Sequence, residues 1–316
     1  MREMSLTVSR KGILIIALCL AAGIGSCRSE GNRNQKSGSP SLESKDPQKK
    51  INRIICAAPS VTEFVYALNL GHKVIGVSDF STYPPEAREK SRIGGLINPN
   101  KEKIVALRPD LLILQGQSDS ISRLCEAQKI RFLALEINSV EDIWKAIRLI
   151  GHELNVPNEA ERLVKQIQAE LHSAQEMTRN RPGRKIFLTL GHTPGDLTGL
   201  MTTGPKTFIH ELLSLAGGEN VFHDALGRYP QISKESLIKR QPEVIIEAIP
   251  GGMAEEKLKL LRKDWSQLPM LPAVQTGRIH FLTEDFLLIP GTRIAQTVRR
   301  FAQIIHPEVF GDSDDA

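Results

Sequence analysis

Residues 101–114 read KEKIVALRPDLLIL, and residues 234–247 read KESLIKRQPEVIIE. Each copy opens on Lys-Glu, runs through an apolar turn, meets a proline and releases an apolar run. The offset from Glu102 to Pro109 equals that from Glu235 to Pro242. Two places before each glutamate stands a capping residue, Asn100 or Ser233, whose side-chain oxygen can accept from the free amides of a first helical turn. The proline then closes the helix, because the residue before it is pushed out of the α region. The unit reads as short helix, tight turn, buried strand, used twice. A duplicated unit of this kind predicts an α/β protein of two Rossmann-like lobes, with a ligand cleft between them.

The rest of the chain supports that division. The apolar run 53–58 (RIICAA) predicts a first strand broken by Pro59, and Ser60 or Thr62 can cap the helix that follows. A strand at 73–77 precedes the loop 78–85 (SDFSTYPP), and the first repeat comes next. Its strand runs out into Gln115-Gly116-Gln117-Ser118, a polar turn at the carboxyl end, where ligands bind in open α/β sheets. Residues 124–129 predict helix, 132–136 strand and 140–154 an amphipathic helix carrying Trp144. Residues 157–177 then predict one long helix, with no internal Gly or Pro and with Ala160, Leu163, Val164, Ile167 and Leu171 at three- and four-residue spacing. A second α/β series starts at 185–190 and continues through the Gly/Thr-rich 191–204, a helix at 206–216 and the second repeat. It closes on a strand at 279–282 and a helix at 292–305. A single rigid helix between lobes should let them flex little, and the cleft is the default binding site.

The chain has 316 residues and a formal charge of +5, with 41% apolar residues, enough to bury one large core or two modest ones. Residues 1–26 carry a surplus of two positive charges and 28–50 a surplus of three, so the remainder is formally neutral. That argues against a nucleic-acid-binding face on the folded part. Arg10-Lys11 precedes an apolar run at 12–25, shorter than the roughly 20 residues of a membrane-spanning helix. A charged start, a short apolar run and small residues before a cut site describe an export signal. Here Ile24-Gly25-Ser26 leads into Cys27, a pattern similar to the bacterial lipobox, in which the cysteine is diacylated and becomes the new N-terminus. An ordinary signal with a chance cysteine is the alternative. Two acyl chains suffice for stable anchoring, and 28–50, rich in Ser, Gly, Asn, Lys and Pro, reads as a flexible tether. The expected parts are a signal at 1–26, a lipid-anchored linker at 27–50, a lobe at 51–155, a connecting helix at 156–181, a lobe at 182–310 and an acidic tail at 311–316. With Cys19 in the signal, Cys56 and Cys125 remain; they could pair after export or stand as two separate buried thiols.

Catalytic motifs are absent: there is no G-x-S-x-G, P-loop, H-E-x-x-H or C-x-x-C, and the eight histidines show no i,i+4 pairing. The residues therefore point to binding rather than to an enzyme, and imply no cofactor and no resident metal. Glu102 and Glu235 admit two readings. Each suits a first helical turn, where the helix dipole favours a carboxylate by ~0.3–1 kcal/mol. Alternatively, matching carboxylates on two lobes make a two-point docking face for arginines of a partner, gripped by bidentate charge-assisted bonds.

Further segments carry a resemblance. APSVTE at 58–63, STYPP at 81–85, NKEKIVALRPDLLI at 100–113, GGENVF at 217–222, YPQISKE at 229–235 and PGTRI at 290–294 occur in order between Arg53 and His306. Together they resemble the helical-backbone substrate-binding proteins of ABC importers for cobalamin, ferric siderophores and haem, and most closely the cobalamin (vitamin B12) branch. The resemblance implies a monomeric binding protein, exported and held on the outer face of a bacterial membrane. It would serve a permease dimer with its ATPase subunits, with Glu102 and Glu235 as the docking carboxylates. It also implies aromatic packing on the ligand, from Tyr83 and from Tyr229, which stands where the family member has Trp. An amphipathic ring with a polar tip suits a flat, polar-edged macrocycle. Leu96 and Gln115 occupy places where the cobalamin binder has tryptophans, so the aromatic lining is thinner here and the cargo could be another metal chelate. Gln115, Arg293 and His192 complete the expected ligand-binding set: Arg293 for an anionic siderophore or propionate, though its motif also fits a structural helix start, and His192 as a residue able to approach a metal, with a plain polar loop residue as the alternative. Trp144 and Trp265 are assigned to core packing.

Overall fold

The computed structural model describes residues 50–310; the signal segment, Cys27 and the tail after 310 lie outside them. Two all-parallel sheets form the frame. The first has the order β3-β2-β1-β4-β5, with β1 Ile54–Cys56, β2 Val74–Val77, β3 Ser91–Arg92, β4 Leu111–Gln115 and β5 Arg131–Leu135. The second has the order β7-β6-β8-β9, with β6 Arg184–Thr189, β7 Gly218–Asn220, β8 Val244–Ala248 and β9 Ile279–Leu282. In each sheet the chain runs outward to one side and then returns to the other side of its first strand. The reversal places a topological switch point between β1 and β4 in the first lobe and between β6 and β8 in the second.

The helices are α1 Pro59–Ala67, α2 Lys101–Ala106, α3 Asp119–Gln128, α4 Val140–Glu153, α5 Pro157–Glu176, α6 Phe208–Leu215, α7 Lys234–Arg240, α8 Glu255–Trp265, α9 Pro272–Gln275, α10 Ile294–Ile305 and α11 Pro307–Phe310. The repeat is visible at atomic detail in α2–β4 and α7–β8. Asn100 Oδ1 accepts from the Lys103 amide at 2.9 Å, and Ser233 Oγ accepts from the Ser236 amide at 3.2 Å. The residue before each proline adopts the left-handed region, Arg108 at φ 46° and Gln241 at φ 48°. The prolines thus end both helices through a left-handed residue rather than an extended one.

Three elements differ from the sequence expectation. Helix α1 starts at Pro59, whose fixed φ suits a first helical position; Ala58 is its N-cap, and Thr62 Oγ1 bonds back to the Ala58 carbonyl at 2.9 Å. Neither Ser60 nor Thr62 caps it. Helix α3 begins at Asp119, five places before the apolar residues that signalled it. Helix α8, in a stretch with no expected element, has a strongly charged outer face and buries Leu261, Asp264 and Trp265.

Long helix α5 buries Ala160, Leu163, Val164, Ile167, Leu171 and Ala174. These join one apolar cluster that also holds Ile54, Cys56, Leu111 and Ile113 of the first sheet and Ile186, Leu188, Val244 and Ile246 of the second. The alternate residues of each sheet face smaller clusters, Ile55, Leu112 and Leu114 in one lobe and Phe187 and Ile245 in the other. The protein therefore has one large core shared by both lobes and two lobe-specific satellites. Cys56 belongs to the shared cluster and Cys125 to a satellite on the other face of the first sheet. Both are free and buried, and burial pushes the Cys125 thiol up to about 11. Among the described residues, no helix is long and apolar enough to cross a membrane.

Candidate functional site

Loops that follow strands of the two lobes meet: Thr82, after β2, donates to Asp285, after β9, and Arg228 donates to Asn138, after β5. At the first switch point Gln115 ends β4, and Ser60, one turn after β1, donates its Oγ–H to Gln115 Oε1 at 2.6 Å. Gln115 is half-buried. The loop after β2 is braced from within: Ser78 and Ser81 share a hydrogen bond of 2.9 Å, the Thr62 and Ser81 hydroxyl oxygens lie 2.9 Å apart, and Arg92 Nη1 donates to the Ser78 and Ser81 carbonyls at 2.9 and 2.8 Å. At the far end of this braced loop Tyr83 is 40% exposed.

Arg293 is expected from sequence to meet an anionic ligand; in the structure it is engaged by carboxylates of the protein. Its Nε and Nη2 donate to Glu63 Oε1 at 3.1 and 2.8 Å, and its Nη1 donates to Asp285 Oδ1 at 2.7 Å. The guanidinium is satisfied by the protein itself, with its side chain 10% exposed and that of Glu63 1% exposed. Burial alone would lower its pKa, but Glu63 and then Asp285 hold it above the ordinary arginine range. Glu63 also accepts from the Thr292 amide and hydroxyl, both at 2.8 Å. Gly291 makes room for this: a Cβ there would stand 2.4 Å from Glu63 Oε2. Asp285 in turn accepts from Thr82 Oγ1 at 2.9 Å. Since α1 belongs to the first lobe and Arg293 to the second, this is a cross-lobe joint. It forms directly beneath Tyr83, whose ring centroid lies 4.1 Å from the Arg293 guanidinium carbon. Phe286 flanks the same guanidinium at 5.4 Å.

His192 is likewise engaged by carboxylates of the protein. It follows β6 at the second switch point, but its side chain is fully buried. Nδ1 lies 3.0 Å from Glu247 Oε1 and Nε2 lies 3.2 Å from Asp264 Oδ2. Asp264 accepts from the Gly195 amide at 2.7 Å, and Trp265 Nε1 donates to Glu247 Oε2 at 3.1 Å. The imidazole offers no surface to a ligand. Burial works against its charged form, but contact with Glu247 and then Asp264 outweighs this and raises its pKa. Trp144 and Trp265 are buried in the core as expected.

Tyr229 is half-buried and packs against the shared core. Its neighbours are tied down: the Arg228 carbonyl accepts from the Gly204 amide at 2.7 Å, and the Pro230 carbonyl accepts from the Thr202 amide at 3.1 Å. Arg228 Nη1 donates to Asn138 Oδ1, a residue that follows β5 in the first lobe. Leu96 is partly buried between the shared core and the first-lobe satellite. Glu102 and Glu235 are exposed in the first turns of α2 and α7. The backbone amide at the helix start, and then Ser233, hold the Glu235 carboxyl below the usual range.

Sequence reasoning missed Glu63, Asp285 and Phe286. A usable signal existed, since Glu63 and Arg293 are opposite charges placed inside two otherwise uncharged quoted motifs, APSVTE and PGTRI. A cavity of about 580 Å³ lies elsewhere, among Ile51, Lys73, Arg131, His152 and Asn155. It sits by the amino ends of β1, β2 and β5, so the carboxyl-end rule favours the cleft. Among the described residues no group of three or more His, Cys, Asp or Glu could hold a metal ion.

Residues 54–286 match the family described as periplasmic binding protein. An uncharacterized ABC transporter substrate-binding lipoprotein of Bacillus subtilis is 29% identical over 271 residues, covering 83% of this chain and 82% of the relative. The vitamin B12-binding protein of Photorhabdus laumondii is 30% identical over 254 residues, 79% of this chain and 86% of its own. Among solved structures, the periplasmic vitamin B12 binding protein of Vibrio cholerae superposes with a TM-score of 0.68 at 26% identity, covering 83% of this chain and 99% of that one. The periplasmic haem-binding protein of Roseiflexus sp. RS-1 gives 0.71 at 23% identity, covering 82% and 99%; at that identity the likeness concerns the fold.

Proposed function

This chain belongs to the periplasmic binding protein family, and from that premise we propose that it captures cobalamin or a related corrinoid and delivers it to an ABC permease dimer with its ATPase subunits. The observation that carries the reading is a pair of tyrosines in loops that follow strands, Tyr83 after β2 of one lobe and Tyr229 after β7 of the other. Two such rings can pack against a flat macrocycle while their hydroxyls meet its polar edge. Gln115 adds a polar contact at the first switch point. With His192 sealed away, the residues assigned to the cleft supply no imidazole to a metal. That suits a chelate whose ring and own base satisfy its cobalt, and the kinship to vitamin B12-binding relatives supports it.

Haem or a ferric siderophore is the second reading, favoured by the thinner aromatic lining at Leu96 and Gln115. An open haem iron would have to take a tyrosine oxygen. In either case the task is binding and delivery, without bond-making in the cleft. Glu102 and Glu235 dock on permease arginines, one per lobe, and the exported chain is held at the membrane through Cys27, which lies outside the described residues.

Titration of the purified protein with cyanocobalamin, haemin and a ferric siderophore, followed by tyrosine fluorescence and visible spectra, tests the cargo. A saturable response to cyanocobalamin is expected; silence there with a response to a siderophore or haemin overturns the corrinoid reading. For docking, the double variant Glu102→Ala, Glu235→Ala should abolish uptake in cells while leaving the cargo affinity unchanged. Intact uptake would remove that assignment.

A further inference from the structure

Each tyrosine of the cleft stands beside an arginine engaged with the other lobe. Tyr83 belongs to the first lobe, and the guanidinium under its ring is that of Arg293 in the second, at 4.1 Å. Tyr229 belongs to the second lobe, and the residue before it, Arg228, bonds to Asn138 of the first. We propose that Arg293 is a cross-lobe positioning residue: anchored by Glu63 and Asp285, it fixes the height and tilt of the Tyr83 ring and, with Arg228, sets the gap between the two aromatic faces that a planar metal chelate must fit.

Arg293 makes three bonds to two carboxylates from different segments. A planar guanidinium held by three bonds cannot rotate, so the surface it offers to Tyr83 is fixed in orientation as well as in charge. One face of the tyrosine ring rests on that surface, and the residue keeps 40% of its area open to solvent. The ring is therefore immobilised before any ligand arrives. Ordering a side chain in advance removes an entropy cost that binding would otherwise meet. Because Glu63 lies on α1 of the first lobe, the same bonds that hold the ring also hold the lobes at one separation. The shared apolar core over α5 supports the same geometry from behind.

The inference rests on the cleft reading above, and its test separates the two. The protein has three tyrosines, Tyr66, Tyr83 and Tyr229, so a ring-labelled sample gives a simple NMR spectrum in which Tyr83→Phe identifies the signal of interest. In the ligand-free protein, Arg293→Gln should shift and broaden the Tyr83 ring signal while leaving that of Tyr66 in place. Arg293→Lys keeps a charge under the ring but cannot span Glu63 and Asp285 together, so it should restore the shift only in part. Cyanocobalamin should bind Arg293→Gln roughly two- to tenfold more weakly than it binds the parent, with the loss in the off-rate. If Arg293→Gln does not fold, Glu63→Gln releases the same guanidinium from its anchor and must produce the same ring signature. An unmoved Tyr83 signal in a folded variant overturns the proposal, as does unchanged cyanocobalamin affinity where the parent binds. If the parent binds no cyanocobalamin, the cargo reading fails, and the ring spectrum still decides the role of Arg293.

Discussion

The two lobes share a helix–turn–strand unit and an all-parallel sheet built around it, yet their switch points are filled in opposite ways. Between β1 and β4 lie Ser60 and Gln115, neutral and joined by one hydrogen bond, with Ser60 buried and Gln115 partly exposed. Between β6 and β8 lies the sealed cluster of His192, Glu247 and Asp264, closed from below by Trp265. The lesson is that an open switch point offers a binding position, and the same topology can convert that position into structural cement. A buried ion cluster holds strand, loop and helix α8 together. A neutral pair with Gln115 only half-buried leaves a polar side chain within reach of a ligand.

Removal of a partner from the sealed side should have the largest effect. Glu247→Ala leaves His192 with Asp264 alone and strips Trp265 of its acceptor, and breaking such a buried pair costs about 3–5 kcal/mol. Chemical denaturation should show that loss, with cargo affinity of the folded fraction nearly unchanged. A loss under 1 kcal/mol, or a large loss of affinity, would contradict the division between cement and binding position.

The second break uses pH. The folded-state pKa of His192 is raised, so its contribution is complete below the ordinary histidine range, near 6.5. That contribution is lost as pH rises through the higher folded value. The melting temperature of the parent should therefore fall relative to that of His192→Gln as pH climbs through neutrality and above. Parallel curves for the two proteins would show that the imidazole is not held in its charged form.

The smallest stability effect belongs to the open side. Ser60→Ala removes one hydrogen bond to Gln115, worth ~0.5–1.5 kcal/mol, and the freed amide can turn to water or ligand. Stability should change little while cargo affinity changes measurably in titration. A stability loss as large as that of Glu247→Ala would make the two switch points equivalent.

Much of the scaffold was legible before any coordinates. The repeated Lys-Glu…Pro unit marked two helices and the central strands that follow them, and the stripe from Ala160 to Leu171 marked the long helix. These are local codes, in which spacing along the chain becomes direction in space within a few residues. The site was less legible. His192 reads as a polar loop residue at a strand end, and nothing near it announces Glu247 or Asp264. Its contact with Asp264 spans 72 positions. Arg293 reads as a free cation by a helix start, while the carboxylate that neutralises it lies 230 positions away.

Composition and periodicity alone therefore determined that this chain builds two parallel α/β units around one long helix, because secondary structure and its buried faces follow from neighbours three, four or two residues apart. The sequence also placed Tyr83, Tyr229, Glu102 and Glu235 at the ends of those units. Only the tertiary structure decided which charged side chains face the cleft and which are locked within the protein. The energy of a buried charge depends on the groups folding brings within about 3 Å of it, as Glu63 is brought to Arg293 at 2.8 Å, and those groups come from the far end of the chain.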